Sequence, residues 1–299
     1  MHIVAVLNRD GGTLRTTDLD DLCARAIAIF AERGHDLECR VVDGGAVEST
    51  LQELAATEGV EALIAGGGDG TISSAAAIAY AAGLPLGVLP AGTMNLFARS
   101  LKIPLDLEAA LVALAEAEIV AVDIATANER TFIHQFSVGI HARLVRIREG
   151  MSYGSRTGKI LASLRAIAAA AVSPPRFEAD LHTRKRTERR QVSGISVSNN
   201  PLGDGQLFAD RLDHGVLGVY VAAPMNTSAL LKLAVDLFAG TWRQSPLVEE
   251  REVDQLTLSF PHRRRGNHAV IDGELVELEK SVRIVIHPKA LKVLRPRTG

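Results

Sequence analysis

Apolar residues in the first 124 positions follow two regular patterns: short continuous runs, and longer segments with an apolar residue every three or four positions. The short runs predict buried strands and the longer segments predict helices. Because strands and helices alternate, we expect a parallel sheet with helices on both faces. The predicted strands are 2–7, 37–42, 60–65 and 86–89, and the predicted helices are 19–33, 47–57, 72–82 and 95–101.

The pattern changes after about residue 123, where shorter alternating runs are separated by turn residues. Such runs are typical of an antiparallel sheet or sandwich. They lie at 131–138, 177–182, 192–198, 216–221, 255–260, 269–271 and 283–286, with helical segments near 157–172 and 226–240. We therefore expect an α/β domain at 1–124 and a mainly antiparallel β domain at 125–299, with the last ~15 residues able to return to the first domain.

Composition and charge exclude several classes. The 299 residues are 47% hydrophobic and 23% charged, with a net charge of −2, which argues against a general nucleic-acid binder. No run is apolar and long enough to span a bilayer, and no basic segment precedes an apolar one at the N-terminus. Cys23 and Cys39 cannot form a disulfide framework and lack the spacing of a zinc site, so we expect a reducing, cytoplasmic location.

Two features leave a choice open. Basic residues cluster at 184–190 and 263–265, either as solvated turns or as a surface attracted to an anionic membrane. The segment 230–238 has a broad apolar stripe, either packed in the core or lying at the lipid interface.

A glycine-rich turn at 66–71, Gly-Gly-Gly-Asp-Gly-Thr, follows a predicted strand and opens a predicted helix. Backbone N–H groups at such a helix start bind phosphate. The turn lacks the Gly-Lys-Ser/Thr ending of a Walker A loop, and Thr71 replaces the third glycine of a dinucleotide fingerprint. Asp69 would repel a polyphosphate unless a metal or a transferable proton lies between them, so it favours Mg-nucleotide chemistry. The alternative is a tight turn with Asp69 as a helix N-cap.

A second loop, 90–99, also follows a strand and opens a helix. Thr93 and Asn95 can donate hydrogen bonds to phosphate or hold a metal-bound water, and Arg99 can reach an anion. Both loops and Asn8 follow predicted parallel strands, and ligands bind at the carboxyl edge of such sheets. These residues are therefore expected to converge on one site.

A third motif, Asp272-Gly273-Glu274, lies between two strand-like runs in the second half. It is either a simple hairpin turn or a pair of carboxylates that act as a base or as metal ligands.

Together these residues resemble the diacylglycerol kinase-like catalytic domain of soluble bacterial lipid kinases, a group related to sphingosine kinases. The likeness covers nearly the whole chain, although its first motif is shared with NAD kinases and phosphofructokinases. The motifs that carry it are 67–71, the loop 90–95 followed by Phe97-Ala98-Arg99, Val122-Asp123-Ile124, Asp272-Gly273-Glu274 and the closing segment 286–291.

The resemblance implies a two-domain, ATP- and Mg²⁺-dependent kinase whose nucleotide and lipid head group meet in the cleft between domains. Asp69 and, by family analogy, Asp123 would belong to the acidic network around catalytic Mg²⁺. Asp272 or Glu274 would take the proton from the lipid hydroxyl, and related proteins are usually described with the glutamate in that role. The residues expected to bind ATP are Asn8, Gly67, Gly68, Gly70, Thr71, Thr93, Asn95 and Arg99.

The chain departs from the family pattern at three points. Leu96 stands where an aspartate is common, the first loop is Asn8-Arg9-Asp10-Gly11-Gly12, and 213–215 is Asp-His-Gly instead of Asp-Asp-Gly. Because imidazole is a poor ligand for a hard cation, a structural Mg²⁺ near His214 is not expected.

Several alternatives stay open at this point. The protein could phosphorylate a soluble acceptor, as an NAD kinase does, or bind nucleotide as an inactive regulator, and a dehydrogenase is disfavoured by Asp69. If it is a lipid kinase, the lipid substrate at the membrane surface is its expected partner, and the protein would lie peripherally at the inner face. Edge strands of the second domain could pair two copies into a homodimer, and which lipid is the acceptor is left open.

Overall fold

The structure is a computed structural model that describes residues 1–149, 172–263 and 266–297. The chain divides into two compact units: Met1–Ile124 with Pro288–Gly299, and Ala125–His287. The predicted helix near 157–172 and the basic residues Arg264 and Arg265 lie largely or wholly outside the described residues.

Unit 1 is built on parallel strands with helices between them. The parallel strands are β1 (His2–Asn8), β2 (Asp36–Val42), β3 (Ala62–Gly67) and β4 (Leu86–Pro90). The start of β5 (Glu118–Ala127) also belongs to this unit. The helices are α1 (Leu19–Ala31), α2 (Val47–Ala55), α3 (Asp69–Ala82), α4 (Leu96–Ser100) and α5 (Leu107–Ala115).

The sheet of unit 1 has the order β2-β1-β3-β4, and all three pairings are parallel. Its central strand β3 is fully buried, as expected when helices cover both faces. Helix α3 packs closely because Ala75, Ala76 and Ala79 are completely buried, and it ends at Gly83 in the left-handed conformation. Since the strands are parallel, the loops after β1, β3 and β4 all emerge at the carboxyl edge.

Unit 2 is mainly antiparallel. Its strands are the end of β5, β6 (Arg130–Phe132), β7 (Gln135–Gly139), β8 (Phe177–His182), β9 (Thr187–Val192), β10 (Gly194–Asn199), β11 (Leu217–Ala222), β12 (Val248–Val253), β13 (Gln255–Ser259), β14 (His268–Ile271), β15 (Glu274–Glu277) and the first half of β16 (Ser281–Arg295). Its described helices are α6 (Ile140–Glu149) and α7 (Thr227–Phe238).

Two sheets form this unit. One has the antiparallel order β12-β11-β10-β7-β14-β15, and in the other β9, β8, β13 and the first half of β16 are paired in sequence. Alternate residues of the two sheets share one apolar core, with Phe136 and Val138 from the first and Leu256 and Leu258 from the second. The second half of β16 belongs to unit 1, where Val293 pairs with Leu86 of β4 in parallel.

This architecture confirms the predicted fold class, an α/β domain followed by a mainly antiparallel β domain. Some predicted elements differ from the observed ones in their bounds. The predicted strand 131–138 is interrupted at residues 133–134, and helix α3 begins at Asp69 inside the glycine-rich turn. Helix α5 was not predicted, because its nearly uniform apolar sequence shows little periodicity.

The two cysteines correct an expectation. Cys23 of α1 and Cys39 of β2 are joined by a disulfide, with their Cα atoms 5.9 Å apart. A pair of cysteines sixteen positions apart gave no such signal in the sequence, because only the packing of α1 against β2 brings them together. The disulfide weakens the part of the argument for a reducing compartment that used the cysteines, and the location stays a prediction.

The structure also bears on membrane insertion. Within the described ranges, none of the helices has both the length and the apolar character needed to cross a bilayer.

Candidate active site

Three loops of unit 1 meet at the carboxyl edge of the sheet, as the sequence predicted. The N–H of Thr13 donates to the carbonyl of Ala91 (2.8 Å), and the N–H of Ala91 donates to the carbonyl of Gly67 (2.9 Å). The contacts leave no room for side chains: a Cβ on Gly12 would lie 1.9 Å from the Ala91 oxygen, and one on Gly92 would lie 2.7 Å from the Gly68 Cα. The glycines therefore allow the three backbones to touch.

Asn8 links two of these loops. Its side-chain Nδ2 donates to Oγ1 of Thr71 (3.0 Å), and its Oδ1 accepts the N–H of Asp10 (3.0 Å). Asp10 in turn accepts the N–H of Gly44, which follows β2. Asn8 thus holds the loop after β1 to the glycine-rich turn at the predicted nucleotide site, and its contact with ATP stays a prediction.

The start of helix α3 is the most suitable anion site of this cluster. Gly68 is the N-cap and provides no side-chain cap for the first turn, which begins at Asp69, Gly70 and Thr71. Backbone N–H groups at such a terminus point along the helix axis and carry the positive end of its dipole. A phosphate group is the natural partner for this arrangement.

Asp69 has a role that the sequence did not reveal. Its two carboxylate oxygens accept the N–H groups of Asn95 (3.0 Å) and Leu96 (2.6 Å), at the start of helix α4. The alternative of Asp69 as the N-cap of its own helix is wrong, because Gly68 occupies that position. A carboxylate has about four lone-pair sites, so two amide hydrogen bonds leave capacity for a metal or a water.

Asn95 closes the loop after β4 on itself. Its Oδ1 accepts the N–H of Gly92 (2.8 Å) and its Nδ2 donates to the Gly92 carbonyl (3.1 Å). The residue is buried with φ +50°, a conformation that asparagine tolerates better than most residues. Its amide therefore shapes the loop, whereas Thr93 is exposed and Arg99, held through the Met94 carbonyl at 2.8 Å, is exposed as well.

Asp123 is completely buried in β5, and its Oδ1 accepts the N–H of Lys289 (2.8 Å). Lys289 has φ +52°, so the carboxylate supports an irregular point in β16. Nowhere in the described part of the chain are three His, Cys, Asp or Glu side chains grouped so that they could hold a metal ion. Mg²⁺ commonly binds one or two carboxylates together with substrate phosphates and water, so Asp69 fits such a role only with a nucleotide present.

The third predicted motif lies in unit 2. Residues 272–273 form the two-residue turn between β14 and β15, with φ +46° and +90°, as the hairpin alternative expected. The Asp272 carboxylate is buried and accepts backbone N–H groups, whereas Glu274 is exposed and paired with Arg130. The structure therefore separates the two carboxylates by environment.

The loop around His214 contains a backbone hydrogen bond and an ion pair. The N–H of His214 donates to Oδ1 of Asn200 (3.0 Å), and Asp213 pairs with Arg211 at 3.1 Å. The expectation that no structural Mg²⁺ binds near His214 stays a prediction.

The arginines of the basic run at 184–190 form ion pairs with neighbouring carboxylates. Arg184 pairs with Asp254, Arg189 with Asp180, and Arg190 with Glu188 and Glu249. Arg263, the first residue of the second run, pairs with Glu277. These pairs favour the interpretation of solvated strand and turn residues over that of a surface attracted to anionic lipid.

The chain is similar to known proteins in sequence and in fold. The chain matches the family model of the diacylglycerol kinase catalytic domain over residues 2–127. A crystal structure of a diacylglycerol kinase from Bacillus anthracis str. Sterne superimposes with a TM-score of 0.70 at 15% identity, covering 98% of this chain and 96% of that one. At that identity the likeness shows the fold alone.

Relatives in sequence extend the match. A "Probable lipid kinase YegS-like" protein of Pseudomonas aeruginosa is 30% identical over 286 residues, which are 91% of this chain and 88% of that protein. An uncharacterized protein of Synechocystis sp. is 28% identical over 80% of this chain, and the match spans 56% of its length, so the chain covers only about half of that relative. The chain belongs to the diacylglycerol kinase-like, YegS-like family of lipid kinases.

Proposed function

We propose that the protein transfers the γ-phosphate of ATP to a hydroxyl of diacylglycerol or of a similar lipid. The observation that carries this proposal is the cluster of three touching loops at the uncapped start of helix α3, with Asp69 within it. Membership of a lipid kinase family supports the reaction class, while the nucleotide, the metal and the acceptor are part of the proposal.

Phosphoryl transfer requires mainly positioning and neutralisation of charge. The first N–H groups of α3 would bind the β- and γ-phosphates, and exposed Thr93 and Arg99 would contact the transferred group. Mg²⁺, when bound, would neutralise phosphate charge, and Asp69 is the carboxylate that would hold it. No lysine precedes Lys102, so backbone dipoles and Arg99 supply the positive charge that a P-loop lysine provides elsewhere.

The acceptor hydroxyl must lose its proton during the transfer. Glu274 is the proposed acceptor of that proton, because its carboxylate is exposed and its partner Arg130 is exposed too. A solvent-accessible ion pair contributes little to stability, so Glu274 can exchange this partner for a substrate hydroxyl at small cost.

The first test is transfer of labelled phosphate from ATP to a panel of lipids in mixed micelles with Mg²⁺, using wild type and Asp69→Asn. An amide is a poor metal ligand and can accept only one of the two N–H groups. We expect kcat to fall at least ~10²-fold and the melting temperature to fall by about 2–4 °C.

The matched control is Asp106→Asn, which removes the same charge at the N-cap of α5 and keeps an acceptor there. It should leave kcat unchanged. If Asp69→Asn retained wild-type transfer, its proposed role would be wrong.

The panel should include NAD as a soluble acceptor. Transfer to NAD without transfer to any lipid would identify the alternative kinase. Mg²⁺-dependent ATP binding without any transfer would favour an inactive nucleotide-binding regulator, the alternative suggested by Leu96 in the second loop.

A further inference from the structure

The turn between β14 and β15 is clamped to the link between β6 and β7 by four hydrogen bonds. The Asp272 carboxylate accepts the N–H groups of Ile133 (2.9 Å), His134 (2.9 Å) and Gln135 (2.8 Å). In return, the N–H of Asp272 donates to the Gln135 carbonyl (2.9 Å). Both segments belong to unit 2.

The turn suits its sequence and directs the Asp272 carboxylate inward. Asp272 has φ +46° and Gly273 has φ +90°, and Asp-Gly is a preferred pair for such a two-residue turn. Only 8% of Asp272 is exposed. Its carboxylate is therefore buried where it accepts the three N–H groups.

This arrangement does not suit Asp272 for proton transfer. Three of the about four lone-pair sites of this carboxylate already accept backbone N–H groups, and protonation of the carboxylate would weaken these hydrogen bonds. A buried N–H left without its acceptor costs as much as the full desolvation of that group.

Glu274 has the opposite environment. It is the first residue of β15, its side chain is 54% exposed, and it pairs with Arg130 of β6. The backbone that carries Glu274 leaves the clamped turn directly, so the position of its Cα depends on the clamp.

We propose that Asp272 is a positioning residue, which fixes the turn so that Glu274 can accept the proton of the acceptor hydroxyl. This inference rests on the proposed kinase function and assigns a different role to each of the two carboxylates of the motif. Asp272 holds the backbone, and Glu274 contacts the substrate.

A double-mutant cycle on the full chain tests the assignment. Asn at position 272 keeps one acceptor oxygen but directs an NH₂ at backbone donors, so part of the clamp is lost. We expect Asp272→Asn to lower kcat about tenfold and Glu274→Gln to lower it at least ~10²-fold. If Asp272 acts through Glu274, adding Asp272→Asn to Glu274→Gln should cost nothing further, since coupled residues are not additive.

The pH dependence of kcat distinguishes the residue that accepts the proton from one that only holds the backbone, because loss of a backbone contact alone would not change the pH profile. The fall of kcat toward low pH should persist in Asp272→Asn and disappear in Glu274→Gln. Asp254→Asn is the control: it makes the same chemical change at a residue of unit 2 whose side chain is 45% exposed and pairs with Arg184, and it should resemble wild type in kcat.

Three results would overturn the proposal. They are losses that multiply in the double variant, an acid limb that disappears in Asp272→Asn but not in Glu274→Gln, or a Glu274→Gln enzyme with unchanged kcat. An unchanged kcat in Glu274→Gln would overturn the proposal even if Asp272→Asn does not fold, because exposed Glu274 accepts none of the hydrogen bonds that hold the turn.

Failure of the kinase function gives a different result. If wild type phosphorylated no acceptor, the proposed function would be wrong. The melting temperature would then test only whether the hydrogen bonds of Asp272 stabilise the turn. A lower melting temperature in Asp272→Asn than in Asp254→Asn supports the clamp, and equal values overturn it.

Discussion

At the scale of residues, the three aspartates expected to do chemistry all accept hydrogen bonds from the backbone. Asp69 holds the start of α4, Asp123 holds Lys289, and Asp272 holds residues 133–135. A short, charged acceptor is well suited to such work, because charge-assisted hydrogen bonds are about twice as strong as neutral ones. Loop shape and chemistry thus depend on the same side chains, and substitutions at these positions affect both.

Gly12 gives a prediction at this scale. Ala at position 12 would place a Cβ 1.9 Å from the Ala91 oxygen, at a residue with φ +31°. We expect Gly12→Ala to destabilise unit 1 by about 1–3 kcal/mol and to weaken ATP binding, because the first loop must move away from the loop after β4. Urea unfolding and nucleotide titration measure the two effects.

Two other glycines provide controls for this substitution. Gly34 has φ +75° and Gly45 has no positive φ, and in both cases an added Cβ would meet nothing within 4 Å. Gly34→Ala should show only the conformational cost and Gly45→Ala almost none. Equal effects for Gly12→Ala and Gly34→Ala would contradict the steric argument.

At the scale of elements, helix α7 resolves the open question about the apolar stripe at 230–238. Leu230 and Leu233 are buried against a cluster that includes Met225 and Trp242. On other sides of the same helix, Val235 is 65% exposed and Phe238 is 74% exposed. The stripe is therefore partly core, and it also presents apolar side chains to solvent.

If the acceptor is a membrane lipid, we expect the exposed side of α7 to lie against the bilayer surface. Burial of two such side chains is worth more than ~1.4 kcal/mol, which corresponds to about tenfold in affinity. Val235→Ser with Phe238→Ser should therefore reduce co-sedimentation with vesicles of anionic phospholipid and diacylglycerol about tenfold.

Val112→Ser is the control for this experiment, because Val112 is an exposed apolar residue on helix α5 of unit 1. It should leave co-sedimentation unchanged. Binding that is the same for the α7 double variant and wild type would exclude this side of α7 as the lipid contact.

At the scale of the whole molecule, unit 2 has a ladder of charges that joins the edge strands of its two sheets. Glu188 and Arg190 of β9 pair with Arg251 and Glu249 of β12. The hydrogen bond from Arg251 lowers the pKa of Glu188 below its usual value, and partial burial opposes this change. The ladder therefore stabilises the sandwich only while its carboxylates are ionised.

The sign of the pH effect follows from this direction. Because the pKa of Glu188 is lower in the folded state, its contribution is present above the unfolded pKa and is lost as the pH falls through the folded value. We expect Glu188→Gln to reduce the unfolding free energy by about 1 kcal/mol at pH 7 and the difference from wild type to shrink as the pH falls below about 4. Thermal unfolding across this pH range measures it.

Exposed Glu279 of the same unit is the control. Glu279→Gln should behave like wild type at every pH. A constant difference between Glu188→Gln and wild type from pH 7 to pH 3 would contradict the electrostatic explanation.

The sequence by itself determined the fold class and the edge of the sheet at which the three loops meet. Periodicity fixes which segments become strands and helices, and parallel strands bring the loops that follow them to one edge. That rule alone is enough to group Asn8, Gly67 and Asn95 at one site. The prediction succeeds because the periodicity of a segment, and the loop that follows a strand, depend only on residues close together in the sequence.

Only the tertiary structure decided which backbone groups these side chains contact. The partners of Asp272 and Asp123 lie 139 and 166 positions away in sequence, and Cys23 meets Cys39 only through the packing of α1 on β2. No local pattern encodes such contacts, because they depend on how the folded elements bring distant main-chain groups within hydrogen-bond distance. For the same reason, the sequence could offer Asp272 and Glu274 as equal candidates, and their different burial distinguished them.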